Sequence, residues 1–134
     1  MDYKSLIENR NATNHFAIHT GCVVTEISEG KATVEHVPSK NSLNPSGAVH
    51  GGLLYTMADI AAGNAACSYG GHAATVNSSF NYLRPALNAK KLIAKAIEVK
   101  HGKRIMVFDV TVEDQEGTLL CSGSFTYMPL EVKK

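Results

Sequence analysis

Two periodicities divide the chain. Between Gly51 and Tyr69, apolar residues fall around most of a helix circumference: Leu53, Leu54, Met57, Ile60, Ala61, Ala65 and Ala66. So wide an apolar face predicts a helix enclosed by other structure rather than one lying on a surface. Ala58, Ala61, Ala62, Gly63, Ala65 and Ala66 are small enough to let a sheet approach it closely. Gly70-Gly71 supplies a glycine stop. Elsewhere the alternation of apolar and polar positions predicts strands at Cys22 to Ile27, Ala32 to Val37, Thr75 to Leu83, Leu92 to Val99, Ile105 to Val112 and Leu119 to Met128. Turn residues separate them at Glu29-Gly30, Pro85 to Asn88, Lys100 to Lys103 and Glu113 to Gly117. A short amphipathic helix from Asp2 to Asn9, with Tyr3, Leu6 and Ile7 on one side, precedes the first strand. Two strands, one long helix and four strands in hairpin succession predict an α+β architecture in which an antiparallel sheet curls around a central helix.

Candidate chemistry concentrates where that helix begins. The segment Asn44 to Asp59, NPSGAVHGGLLYTMAD, sets a turn at Pro45-Ser46-Gly47, then His50, then Gly51-Gly52 at the helix start. A helix start leaves its first backbone N–H groups without intrahelical partners and carries the positive end of the helix dipole. Glycine lets another group come close to those donors. An oxygen that turns negative during a reaction is stabilised at such a place, by about 3–4 kcal/mol per preorganised donor. About two turns on, Asp59 stands among Met57, Ala58, Ile60, Ala61 and Ala62, with no Lys or Arg at helical spacing. A carboxylate in that company is paired, protonated or in use.

Composition narrows the classes. At 134 residues, 44% of them apolar and 19% charged, the chain has the make-up of one globular domain, residues 1–134. A net charge of +1, without Lys and Arg clustered among aromatics, gives no footprint for nucleic acid and none for a membrane surface. The N-terminal stretch MDYKSLIENRN has no hydrophobic segment of signal-peptide type, which predicts a cytoplasmic protein. Cys22, Cys67 and Cys121 are widely spaced, form no C-x-x-C pair and read as small buried hydrophobes. His15 and His19 have the spacing of two helical metal ligands, but no carboxylate or third His accompanies them, and no metal site is expected. His36, His72 and His101 lie near strand ends and turns.

The Asn44 turn, His50-Gly51-Gly52, the Ala58-Asp59 pair on the helix and the later stretch Asn81-Tyr82-Leu83-Arg84-Pro85-Ala86 together resemble the hotdog-fold acyl-CoA thioesterases of the phenylacetate-pathway type. The resemblance runs from Gly21 to Met128. It implies a hotdog fold and hydrolysis of an aryl-acyl or short- to medium-chain acyl-CoA to free acid and CoA, without a cofactor, CoA being part of the substrate. It implies Asp59 as the catalytic carboxylate, acting as general base on water or as nucleophile on the thioester carbonyl, and the Gly51 N–H as donor to the carbonyl oxygen. Asn44 and His50 would orient the water or the thioester, and the Thr75 hydroxyl would help position the water. It further implies a homo-oligomer, a tetramer built as a dimer of dimers, with each active site at a dimer interface between Asp59 of one chain and the Asn44-His50-Gly51 turn of another.

A CoA substrate carries an adenosine phosphate and a pyrophosphate that call for basic side chains at the rim of the site. Arg84, Lys103 and Arg104 rank first, ahead of Lys90 and Lys91, because they flank strand ends that could face one ligand. Tyr55, Met57, Phe80 and Tyr82 are placed to line an acyl pocket or to fill the core. Two other readings stand beside hydrolysis. One is a hotdog hydratase or dehydratase, whose D-x-N-x-x-x-H type signature this chain lacks. The other is a non-catalytic acyl-CoA binding module.

Overall fold

A computed structural model describes residues 1–130. Two helices, α1 (Tyr3–Thr13) and α2 (His15–Thr20), lead into strands β1 (Cys22–Ser28) and β2 (Lys31–His36). The long helix α3 (Gly51–Ala66) follows, and then β3 (His72–Tyr82), β4 (Leu92–His101), β5 (Met106–Asp114) and β6 (Leu119–Leu130). The six strands form one antiparallel sheet in the order β1-β2-β4-β5-β6-β3, and α3 packs against every one of them. This is the antiparallel sheet around one long helix that the alternation predicts, and the hotdog fold that the resemblance implies.

The sheet turns its inward positions to α3. On β5 these are Met106, Phe108, Val110 and Val112, and on β6 Cys121, Phe125 and Tyr127, all buried. They meet Leu54, Met57, Ala58, Ala61, Ala62 and Ala65 of the helix. The alanines keep helix and sheet close, and Met57 and Phe108 supply the volume between them. Removing apolar side chains such as these from water stabilises the fold by roughly 25 cal/mol per Å² buried.

Several element ends differ from the sequence expectation. The first helix runs on to Thr13, and α2, which the pattern did not predict, follows at once. Asn14 both ends α1 and starts α2, its side chain accepting from the Ala17 N–H at 3.1 Å. Asn11 ties α1 to β1 by donating to the Val24 carbonyl at 2.8 Å and accepting from the Val24 N–H at 2.9 Å. The α-helical turns of α3 end at Ala66, and a tighter 3-10 turn continues from Cys67 to Tyr69. Gly70 then reverses the chain at φ 97°, a conformation that strains any side-chain-bearing residue. β3 consequently begins at His72, three residues earlier than its alternation suggests.

β3 is an edge strand with a bulge. Thr75 pairs with Tyr127 and Asn77 with Thr126, so Val76 has no partner of its own on β6 and is half exposed.

Candidate active site

Asp59 lies in the middle of α3, half buried rather than enclosed. Two hydroxyls from neighbouring strands converge on the same carboxylate oxygen. Thr75 on β3 donates to Oδ1 at 2.9 Å, and Tyr127 on β6 donates both to Oδ1 and, at 2.8 Å, to the Asp59 backbone carbonyl. The sheet register explains the convergence: Thr75 and Tyr127 are direct cross-strand partners, so their side chains share one face. Among the described residues Oδ2 has no hydrogen-bond partner. Burial pushes the Tyr127 phenol well above its usual range, and the adjacent Asp59 charge adds to the push, so Tyr127 is a proton donor to the carboxylate throughout the neutral range. A cleft of about 260 Å³ beside this group is lined by Arg10, Asn64, His72 and Thr75 as well as Asp59.

The start of α3 carries the second group. Ser42 accepts the His50 N–H on its carbonyl at 2.8 Å, and its hydroxyl sits 2.8 Å from Nε2 of buried His36. The other His36 nitrogen, Nδ1, lies 3.0 Å from the Gly21 carbonyl. A carbonyl can only accept, so Nδ1 carries a proton, and in the neutral ring Nε2 accepts from Ser42. This buried relay fixes where the chain enters the helix. His50 caps α3, its Nδ1 accepting from the Gly52 N–H at 2.9 Å. The Gly51 N–H, by contrast, has no acceptor among the described residues.

Asn44 shapes the preceding turn with its side-chain oxygen, which accepts from the Ser46 and Ala48 N–H groups at 3.0 and 3.1 Å and from the Ser46 hydroxyl at 2.7 Å. Its side-chain NH2 is therefore held in place while donating to no described residue. Asn44, Gly51 and Arg84 line one cleft of about 320 Å³, together with Tyr82. His50 lines a different and larger cleft of about 650 Å³, on the side of Phe16, Ile18, Val37 and Leu53.

One chain brings the sequence-predicted residues into two separate groups. Asp59 and Thr75 form one; Asn44, Gly51 and Arg84 form the other. Gly51 and Asp59 are about 12 Å apart along the helix axis. Lys103 and Arg104, in the turn before Met106, lie at the Tyr127 end of β6, whereas Arg84 donates its backbone N–H to Leu120 at the other end. Within one chain these three basic residues do not face a common ligand, because antiparallel register sends the β4–β5 turn and the segment after β3 to opposite ends of the sheet. Lys91 is paired with Glu35 at 2.5 Å.

Tyr127 escaped the sequence reading because its partner lies 68 residues away. A tyrosine on an inward strand position carries a signal nonetheless: a buried phenol has to find an acceptor.

The fold and these groups define a class. The profile of the thioesterase superfamily matches residues 46–121, and the chain belongs to that family. Over 97 residues the chain is 32% identical to the acyl-coenzyme A thioesterase PaaI of Escherichia coli K12, spanning 72% of this chain and 69% of that protein. The structure of E. coli PaaI, from the phenylacetic acid degradation operon, superposes with a TM-score of 0.84 at 25% identity, over 95% of this chain and 96% of that one. The structure of a hypothetical thioesterase protein from Streptococcus pneumoniae TIGR4, with coenzyme A, superposes with a TM-score of 0.79 at 30% identity, covering 90% and 96% of the two chains. The fold is that of the PaaI-type hotdog thioesterases.

Proposed function

We propose that this protein hydrolyses acyl-CoA thioesters, with Asp59 as the general base and the Gly51 N–H as the oxyanion donor. The observation that carries the reading is an Asp59 carboxylate held on Oδ1 by two hydroxyls, on the same helix whose first amide is that of Gly51, with neither Oδ2 nor that amide partnered among the described residues. Thr75 donates its proton to Asp59, which leaves its oxygen lone pairs available to a water. Asp59 takes a proton from that water as its oxygen attacks the thioester carbon. Negative charge then develops on the carbonyl oxygen, where the Gly51 N–H and the Asn44 NH2 stabilise it. Collapse of the tetrahedral intermediate breaks the carbon–sulfur bond and releases CoA thiolate, which takes the proton that Asp59 removed from the water and so restores the carboxylate. The thiolate is a good leaving group, so a base and an oxyanion donor suffice.

The separation of about 12 Å between Gly51 and Asp59 along one helix supports a site shared by two chains. Base, water, thioester carbonyl and oxyanion donor meet in successive contacts of about 3 Å around one bent carbonyl, a span shorter than that separation. A second copy would supply Asp59 to the Asn44-Gly51 cleft of the first. The CoA bound in the S. pneumoniae structure supports a CoA ester as substrate, and Arg84, in the Asn44-Gly51 cleft, is the basic residue best placed to meet its phosphates.

The test is thiol release from short-chain, medium-chain and phenylacetyl CoA esters, comparing the unmodified protein with Asp59→Asn of matched thermal stability. Turnover that Asp59→Asn loses by about 100-fold or more is the expected result. No turnover on any ester, or an Asp59→Asn variant as active as the unmodified protein, would sink the reading.

A further inference from the structure

Tyr127 is 3% exposed and reaches α3 at a point where the helix has no side chain to meet it. A Cβ built at Gly63 would lie 3.3 Å from the Tyr127 hydroxyl, closer than such contacts ordinarily are. Glycine inside a helix costs about 1 kcal/mol relative to alanine. Here that gap lets the phenol sit against the Asp59 backbone carbonyl and carboxylate at once. The carbonyl fixes the phenol relative to the helix axis, and the carboxylate is then fixed relative to the phenol.

We infer that Tyr127 is a positioning residue for Asp59: with Thr75 it locks Oδ1 and leaves Oδ2 as the oxygen that acts on water. The inference rests on the reading of Asp59 as the base. A carboxylate with one donor swings about its terminal torsion, which is broad and soft, whereas two donors from paired strands hold it in one plane. The titratable groups around the cleft are Arg10 from α1, Cys67 after α3, His72 from β3 and Tyr127 from β6, with Tyr55 of α3 behind the phenol. Of these, Tyr127 is the one hydrogen-bonded to the carboxylate among the described residues.

The experiment uses the full-length protein as purified, with Tyr127→Phe and, as a second variant, Gly63→Ala, which keeps the phenol and moves it. Steady-state kinetics across pH are combined with an NMR pH titration of the Asp59 side-chain carboxyl without substrate. Tyr127→Phe is expected to lower kcat about 10- to 100-fold with KM changed less than about twofold, since one charge-assisted donor is lost and ground-state binding is not. Loss of that donor displaces the acid limb of kcat/KM and the midpoint of the carboxyl resonance together. Gly63→Ala moves both in the same direction by less. A folded Tyr127→Phe with an unmoved carboxyl midpoint overturns the inference, and if that variant does not fold, an unmoved midpoint in Gly63→Ala overturns it instead. Should the unmodified protein hydrolyse no thioester, the proposed function falls while the carboxyl titration still decides the role of Tyr127.

Discussion

The Tyr82 hydroxyl donates to the Gly51 carbonyl at 2.8 Å, and its ring lies where a side chain at position 51 would project, 3.3 Å from the place of a Cβ. Glycine at the helix start therefore does more than open an amide: it makes room for an aromatic wall beside that amide. Tyr82 stacks edge-on against Phe80, which meets Tyr55 and Phe125 in the same manner, so the wall continues into the core.

Gly51→Ala should separate these roles. The substitution keeps the N–H and favours the helix by up to about 1 kcal/mol, so the thermal midpoint should hold or rise. Displacing Tyr82 narrows the approach to the amide, and kcat/KM should fall at least about tenfold, as expected for a small misplacement at a reacting centre. An unchanged kcat/KM would mean that the thioester oxygen does not bind at this amide.

A site completed by two chains predicts complementation. Asp59→Asn and Asn44→Ala proteins, each with little activity alone, are mixed under conditions that exchange subunits. Half of the resulting dimers are hybrids, each with one intact site, so about a quarter of the original activity should return. A site built within one chain would recover none.

The three cysteines predict a pH window. Burial pushes the Cys121 thiol up to about 11 from an ordinary 9.0, and raises Cys22 and Cys67 as well. A raised thiol stabilises the folded chain fully below the unfolded value, and that contribution disappears as pH climbs through the folded one. The urea midpoint should therefore decline between pH 9 and 11, and Cys121→Ala should decline less over that window. A chromogenic thiol reagent at pH 8 should label the native protein slowly and the urea-unfolded protein at once; rapid labelling of all three native thiols would contradict the burial.

Much of this architecture is legible from local pattern. Met106, Phe108, Val110 and Val112 alternate so regularly that β5 could hardly be read otherwise, and Gly51 marks the start of α3 because the apolar run and the glycine pair coincide there. α2 was not legible: it spans six residues, buries only Ala17 and depends on the Asn14 cap. The site divides in the same way. Asp59 stands out as a carboxylate amid alanines, whereas its contacts with Thr75 and Tyr127 depend on which strand pairs with which, and no local pattern encodes the β3–β6 pairing. The separation of Arg84 from Lys103 and Arg104 likewise follows from register.

Val76 gives β3 two phases. Before it, odd-numbered residues face α3: Ala73 packs on the core and Thr75 reaches Asp59. After it, even-numbered residues do: Ser78 meets Tyr55, Phe80 joins the aromatic wall and Tyr82 reaches Gly51. A strand of unbroken alternation could turn one of these sets toward the helix and would send the other to the opposite face. The single extra residue thus acts as a phase shifter, through which one edge strand serves the middle of the helix with a hydroxyl and its start with a phenol.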